Sequence, residues 1–75
     1  MMTNALARID TDPEIIGELT RRIQAEYEEM PGLCITLVQA QRLLAIDEPT
    51  CAAVFRVLIK RGVLRQTAQG RYVRA

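Results

Sequence analysis

The chain is short, with 75 residues, of which 49% are hydrophobic and 25% charged, and its formal net charge is only +1. A chain of this length buries only about 60% of the surface that its unfolded form exposes, so we expect one compact core and no second, ligand-sensing domain. No apolar run approaches the roughly 20 residues of a membrane span, and the first residues lack the layout of a secretion signal. We therefore expect a cytoplasmic protein without membrane contact.

The chain contains no histidine and only two cysteines, Cys34 and Cys51. Two thiols without histidine do not make the usual four-ligand zinc site, and we interpret both as small buried hydrophobic residues in a reducing cell. The spacing of the two cysteines is also compatible with a disulfide between them, which is the alternative. The sequence supplies no nucleophile together with a base that would activate it, and it contains no glycine-rich phosphate loop. We expect neither an enzyme nor a bound cofactor.

The predicted domain covers residues 12–75, and residues 1–11 are predicted to be a flexible N-terminal segment. Leu6 and Ile9 lie one helical turn apart. The alternative to a flexible segment is therefore a short helical extension that packs on the domain or on a second copy. Asp12 is a good helix cap and Pro13 suits the first position of the helix. The apolar residues that mark one face of this helix are Ile16, Leu19, Ile23, Tyr27 and Met30.

Pro31-Gly32 is expected to end the first helix, and Leu33-Cys34-Ile35 to form a short strand. Thr36 and Gln39 then have the spacing of a capping box, so a second helix should begin at Leu37. The residues that recur at the spacing of one face of this second helix are Leu37, Ala40, Gln41 and Leu44.

A third helix is expected directly after the turn at Ala45-Ile46-Asp47. Asp47 or Glu48 can cap it, and Pro49 suits its first turn because a proline there loses no hydrogen bond. Gly62 should end it. The residues of its predicted apolar stripe are Cys51, Val54, Phe55, Leu58 and Ile59.

After Gly62 the pattern changes from helical to extended. Val63, Leu64 and Thr67 favour one strand, and Arg71-Tyr72-Val73-Arg74 favours a second. The intervening Ala68-Gln69-Gly70 is typical of a three-residue hairpin loop with glycine in the left-handed position. We predict an antiparallel hairpin.

Residues Thr36 to Arg74 resemble the winged helix-turn-helix superfamily of bacterial DNA-binding proteins. The resemblance rests on a capped helix, the Leu44-to-Asp47 turn, a helix opened by Thr50-Cys51, its Gly62-Val63-Leu64 ending, and Gly70-Arg71-Tyr72 on the hairpin. It implies an α+β fold of three helices with a small antiparallel β-wing. It also implies a transcriptional regulator or accessory factor that places the helix from about Pro49 to Arg61 in the major groove and the wing on the backbone.

The charges are distributed unevenly along the chain. Up to Val38 there are seven acidic and three basic residues, a net charge of −4; from Gln39 onward there are seven basic and two acidic residues, a net charge of +5. A basic end favours docking on a polyanion, because neutralised phosphates release counterions. Duplex DNA is the predicted partner.

If Cys51, Val54, Phe55 and Leu58 face the core, the outward set on the third helix is Thr50, Ala53, Arg56, Val57 and Lys60. Arg56 is suited to a two-pronged contact with guanine, Thr50 to a base or phosphate, and Ala53 to a thymine methyl group. Tyr72 is the aromatic residue with a chance of touching a partner. The complete set of predicted DNA-binding residues is Thr36, Gln39, Arg42, Thr50, Ala53, Arg56, Lys60, Arg65, Arg71 and Arg74.

Two hydrogen-bonding side chains on this helix face are few for a specific site read by one copy. A homodimer that couples two half-sites is therefore one expectation. A protein-protein interaction module without DNA binding is the alternative function, with a partner that contacts Ala53 and Val57 or the acidic first helix with Glu26, Glu28 and Glu29.

Overall fold

A computed structural model of the protein describes residues 13–75. In this part of the chain, three helices, α1 (Pro13–Glu29), α2 (Leu37–Leu44) and α3 (Glu48–Lys60), precede two strands, β1 (Leu64–Gln66) and β2 (Tyr72–Arg74). The α+β class, with three helices and a small antiparallel sheet, is thus confirmed for these residues. The predicted Asp12 cap, the N-terminal segment and the pair Leu6 and Ile9 lie outside the described residues. No described helix is both long and apolar enough to cross a bilayer.

Helix α1 buries one face and ends where the sequence predicts. Leu19, Ile23 and Tyr27 are buried, but Met30 is 51% exposed, so its assignment to the core face is wrong. The helix ends one residue before Met30, and the Leu33 N–H donates to the Met30 carbonyl at 2.9 Å to close a turn. The Met30 N–H still donates to the Glu26 carbonyl at 2.9 Å, so Met30 lies at the last helical bond, where the chain turns away and leaves its side chain exposed.

Helix α2 begins with the predicted capping box. The Thr36 hydroxyl accepts from the Gln39 N–H at 3.2 Å, and the Gln39 side-chain oxygen accepts from the Thr36 N–H at 2.8 Å. The helix ends at Ala45, whose φ of 55° is left-handed. This conformation costs a residue with a Cβ roughly 1–2 kcal/mol. It turns the chain toward α3 within three residues.

Asp47 caps helix α3, because its Oδ1 accepts from the Thr50 N–H at 3.1 Å. Pro49 lies in the first turn, as predicted. The last residue of the predicted apolar stripe, Ile59, is 40% exposed, and its assignment to the core is wrong. Successive residues are turned by about 100° around the helix axis. The buried arc of α3 is centred on Val54 and Leu58, and Ile59 lies at the margin of this arc.

Helix α3 ends in a Schellman motif centred on Gly62. The Val63 N–H donates to the Leu58 carbonyl at 2.9 Å, the Gly62 N–H donates to the Ile59 carbonyl at 3.0 Å, and Gly62 has a φ of +77°. These bonds satisfy carbonyls that a helix end leaves free. The predicted glycine stop is confirmed.

The two strands form an antiparallel hairpin in which Leu64 pairs with Arg74, Arg65 with Val73 and Gln66 with Tyr72. The predicted loop is confirmed: Gly70 has a φ of +81°, and its N–H donates to the Thr67 carbonyl at 2.9 Å.

The predicted third strand, Leu33-Cys34-Ile35, is reduced to a single antiparallel bridge between Ile35 and Tyr72. The Tyr72 N–H donates to the Ile35 carbonyl at 2.7 Å, and the Ile35 N–H donates to the Tyr72 carbonyl at 3.3 Å. On one side of the bridge the capping box of α2 starts at Thr36, and on the other side the Leu33 N–H donates to the Met30 carbonyl in the turn after α1.

Helix α3 is the centre of the described fold, because α1, α2 and β1 all pack against it. The buried hydrophobic core draws on all four of these elements. Its members are Leu19, Ile23, Tyr27, Ala40, Leu44, Cys51, Val54, Phe55, Leu58 and Leu64.

Gly62→Ala should destabilise the protein by about 1–2 kcal/mol, because a Cβ is strained at a left-handed φ even where it meets no neighbour. For a domain of this size we expect a melting temperature lowered by about 4–8 °C for each kcal/mol. Gly17→Ala is the matched control, since Gly17 lies within α1 with open space around its Cβ position. It should stabilise the fold by roughly 0.5–1 kcal/mol. Equal melting temperatures for the two variants would contradict the Schellman assignment.

Candidate nucleic-acid interface

The outer face of α3 is a stripe of small residues that ends in two cations. Ala52 and Ala53 are half-buried, and Arg56 and Lys60 are exposed. Pro49, also exposed, begins the same stripe, because residues three or four apart share one helix face. The short alanine side chains allow a partner to approach the helix backbone closely, while Arg56 and Lys60 extend from its second half.

Thr50 does not belong to this face. It is only 4% exposed, so the prediction that it points outward is wrong. Thr50 precedes Val54 by four residues and Leu58 by eight, and all three share the inward side of α3. This spacing was visible in the sequence. Val57, also predicted to face outward, is half-buried.

Of the three residues at α2 that are predicted to contact phosphates, two already use side-chain atoms in hydrogen bonds of the fold. Thr36 is half-buried, Gln39 and Arg42 are exposed, and the acceptor oxygens of Thr36 and Gln39 both serve the capping box. The Gln39 amide nitrogen and the Thr36 hydroxyl hydrogen are donors, which suits a phosphate oxygen. Arg42 extends from the last turn of α2.

The three hairpin arginines that are predicted to bind DNA lie at different places on the hairpin. Residues directly opposite in an antiparallel pair share a face, so Arg74 lies on the side of buried Leu64, and Arg65 lies on the other side with Val73. Arg71 is exposed beside Gly70 at the loop.

Arg74 lines a groove of about 270 Å³ at the base of the hairpin, together with Gln24, Tyr27 and Glu28 of α1. It therefore lies toward the acidic helix and is not grouped with Arg65. The sequence did not indicate this separation, because the strand register decides which side each residue takes.

The ring of Tyr72 packs inside the molecule. It lies against Phe55 with the ring centroids 4.5 Å apart and an interplanar angle of 59°. Its carbonyl accepts from the Tyr27 hydroxyl at 2.7 Å. Tyr72 thus holds the hairpin to the core, and only part of its surface is left for the partner contact that the sequence suggested.

Both cysteines are free thiols, so they do not form a disulfide. Cys51 is buried as predicted, and burial raises its pKa to about 11. Cys34 is exposed, and the prediction that it is buried is wrong. Cys34 lies on the connection between α1 and α2, which forms only a single β-bridge to the hairpin, so Cys34 is not part of a complete strand. Among residues 13–75 no cluster of three or more metal-binding side chains occurs.

Exposed cations are concentrated in the second half of α3 and in the hairpin that follows it. We call this set the basic region; it comprises Arg56, Lys60, Arg61, Arg65 and Arg71, all exposed. Within the described part of the chain, none of these side chains makes an ion pair. Helix α1, by contrast, carries five glutamates and two arginines, a net charge of −3. The described domain therefore has a basic and an acidic part.

No protein-family model, curated protein or solved structure matches this chain.

The burial of the Tyr27 hydroxyl should make stability depend on pH in alkali. Burial, reinforced by the nearby Cys34 and Tyr72, raises the pKa of Tyr27 to about 12 from its usual value of 10. Folding therefore favours the neutral phenol, and this contribution is complete below pH 10 and is lost as the pH rises from 10 to 12. The loss amounts to about 1.4 kcal/mol per pH unit.

We expect Tyr27→Phe to lower the free energy of unfolding at pH 8 by about 1–2 kcal/mol, since the Tyr72 carbonyl loses a donor. The variant should also lose less stability than the parent between pH 10 and 12. Urea melts at several pH values measure both effects. Parallel pH profiles of the two proteins would show that Tyr27 does not titrate with folding.

Proposed function

We propose that the protein is a small winged-helix DNA-binding module that acts as a cytoplasmic transcriptional regulator or accessory factor. In this proposal, α3 enters the major groove and the hairpin lies as a wing on the phosphate backbone. The observation that carries it is the basic region, in which exposed Arg56 and Lys60 on the outer face of α3 are followed by Arg65 and Arg71 on the hairpin. Its role is binding and not catalysis.

The order and size of the elements support this proposal. A helix, a tight turn, a second helix and a hairpin follow each other as in a helix-turn-helix with a wing. Helix α3 has 13 residues and is about 20 Å long, and a B-DNA major groove about 12 Å wide admits an α-helix. The residues of the buried stripe of α3 face the core, which leaves the Arg56 side exposed; in this proposal that side faces the groove.

The chemistry of the outer face limits how much sequence one copy reads. Arg56 is suited to guanine and Ala53 to a thymine methyl group, while arginines on the hairpin are suited to phosphates. With Thr50 buried, fewer base-reading side chains remain than the sequence indicated. We propose that a homodimer, with two half-sites one helical turn apart, provides the tighter complex.

The double charge reversal Arg56→Glu with Lys60→Glu tests the proposal. Both side chains are exposed, so folding should stay within about 0.5 kcal/mol of the parent. The parent should bind a 20-base-pair duplex at low salt and lose affinity steeply as salt rises. The variant should lose this binding in a fluorescence-anisotropy titration, because two carboxylates would face phosphates.

The matched control is Arg21→Glu with Arg22→Glu on α1, which makes the same change in net charge at two exposed positions of the acidic helix. This control should retain most of the DNA binding. Equal losses in the two variants would indicate a net-charge effect and no defined surface. A parent that forms no DNA complex at low salt, as monomer or dimer, would refute the proposal.

Exposed apolar side chains on α2 favour a protein-interaction module as the second candidate function. Val38 is 55% and Leu43 52% exposed on a helix of only eight residues. Val57 is half-buried and Ala53 is small, so these two residues offer less contact area than the sequence indicated.

If this second function is the true one, Val38→Asp with Leu43→Asp should abolish a cellular complex in pull-down while the circular dichroism spectrum stays unchanged. The Arg56→Glu, Lys60→Glu protein should keep that complex. The reverse pattern, with the complex lost only in the charge-reversed protein, would eliminate the α2 docking surface.

A further inference from the structure

We infer that the exposed face of α1 is an interface between two copies of this chain, which pair as antiparallel helices about Ala25. The inference goes beyond the proposed function and does not depend on it, since no residue of the basic region takes part. The observation that carries it is a self-complementary order of charges along this face. The residues of the face are Arg21, Arg22, Ala25, Glu28 and Glu29, all exposed.

Ala25 lies at the centre of the charge pattern. The two arginines precede it by four and three residues, and the two glutamates follow it by three and four residues. Residues three or four apart share one helix face, so the five side chains form one continuous surface. This surface lies on the side of α1 that is opposite its buried residues.

The symmetry of this pattern favours one direction of pairing. In a two-fold symmetric, antiparallel pair of helices that meet at Ala25, each residue lies level with the residue equally far from Ala25 on the other side. The two arginines of each copy therefore face the two glutamates of the other, and the contact occurs twice. A parallel pair would place arginines against arginines and glutamates against glutamates, which repel each other.

The short side chain of Ala25 permits the helices to approach. Helices that pack together have axes about 8–10 Å apart, and a methyl group at the crossing point allows this distance. The longer side chains on either side of Ala25 can extend past it, so that their methylene groups cover the contact while their charged ends meet. The small residue and the opposite charges thus occupy the places that an antiparallel pair requires.

The fold gives the charges of this face no counter-charge. Glu28 and Glu29 lie in the last turn of α1, which contains no basic residue. Negative charge is unfavourable there, because the C-terminal end of a helix dipole is itself negative. Among the described residues, neither these glutamates nor the two arginines form an ion pair, although Arg74 lines the same groove as Glu28. A second copy supplies the opposite charges.

The contact is small and polar, so we expect a weak, transient dimer. Exposed ion pairs are individually weak, and salt screens them because the Debye length falls from about 30 Å at 0.01 M to about 10 Å at 0.1 M ionic strength. The association constant should therefore fall by about tenfold or more when the ionic strength is raised from about 0.01 to about 0.5 M.

Sedimentation equilibrium of the whole chain, without DNA and at low salt, tests the inference. The parent should show a monomer–dimer equilibrium at protein concentrations up to about 1 mM, which populate a contact with a Kd of that order. Glu28→Arg with Glu29→Arg should weaken association by about tenfold or more, because arginines would then face arginines. Its melting temperature should equal or exceed that of the parent, since cations suit the end of α1.

The matched control exchanges all four charges: Arg21→Glu and Arg22→Glu are combined with Glu28→Arg and Glu29→Arg. This variant has the same net charge as the parent and again places opposite charges against each other, so it should associate about as strongly as the parent. Ala25→Lys is a further probe. It should weaken association, because two ammonium groups would meet at the two-fold axis.

Three results would overturn the inferred interface. They are a parent that stays monomeric at low salt, a double reversal that associates as strongly as the parent, and a folded exchange variant that remains monomeric. Circular dichroism spectra and melting temperatures verify that each variant is folded. Because none of these measurements contains DNA, their outcome is independent of whether the proposed DNA binding is correct.

Discussion

One residue of the second strand, Tyr72, joins the hairpin to α1, to α3 and to the segment that precedes α2. Its carbonyl accepts from the Tyr27 hydroxyl of α1, its backbone pairs with Ile35 before α2, and its ring packs on Phe55 of α3. Within the sheet it pairs with Gln66 of β1. A two-stranded hairpin is only marginally stable by itself in water. These contacts from three directions therefore give the hairpin a fixed position relative to the helices.

The path of the chain at the two ends of α3 depends on two of the three described residues in the left-handed conformation. Ala45 ends α2 and turns the chain toward α3, and Gly62 ends α3 and turns it into the hairpin. Because α1, α2 and β1 all pack on α3, the path at both ends of this helix decides where the hairpin and the outer helix face lie. The glycine makes its turn without strain, whereas the alanine at Ala45 is conformationally costly.

The fold and the charged surface are largely independent of each other. The core is apolar, and the cations of the basic region make no ion pairs with other residues of the described chain. Exposed ion pairs contribute only about 0–1 kcal/mol in any case. No ion pair within the described chain therefore accounts for these positive charges, and their arrangement at one end of α3 suits the polyanion that we propose as the partner. Asp47 contributes to the fold directly, since its carboxylate caps α3.

Local signals in the sequence determined the helices, their ends and the hairpin loop. The Thr36–Gln39 capping box, the Asp47 cap and the two glycines Gly62 and Gly70 act over a few residues, so their spacing alone was sufficient. The inward position of Thr50 follows from the same kind of local spacing, because Thr50 precedes buried Val54 by four residues. The acidic and basic halves of the chain follow directly from the order of its charged residues, because formal charge does not depend on folding.

Only the tertiary structure decided which side of the hairpin each arginine takes and how far the third strand extends. Arg74 lies toward α1 because strand register pairs it with buried Leu64, and Arg65 is presented to solvent for the same reason. The exposure of Cys34 follows from a strand reduced to one bridge at Ile35. These features depend on contacts between residues far apart in the chain, and such contacts leave no periodic signal in a single sequence.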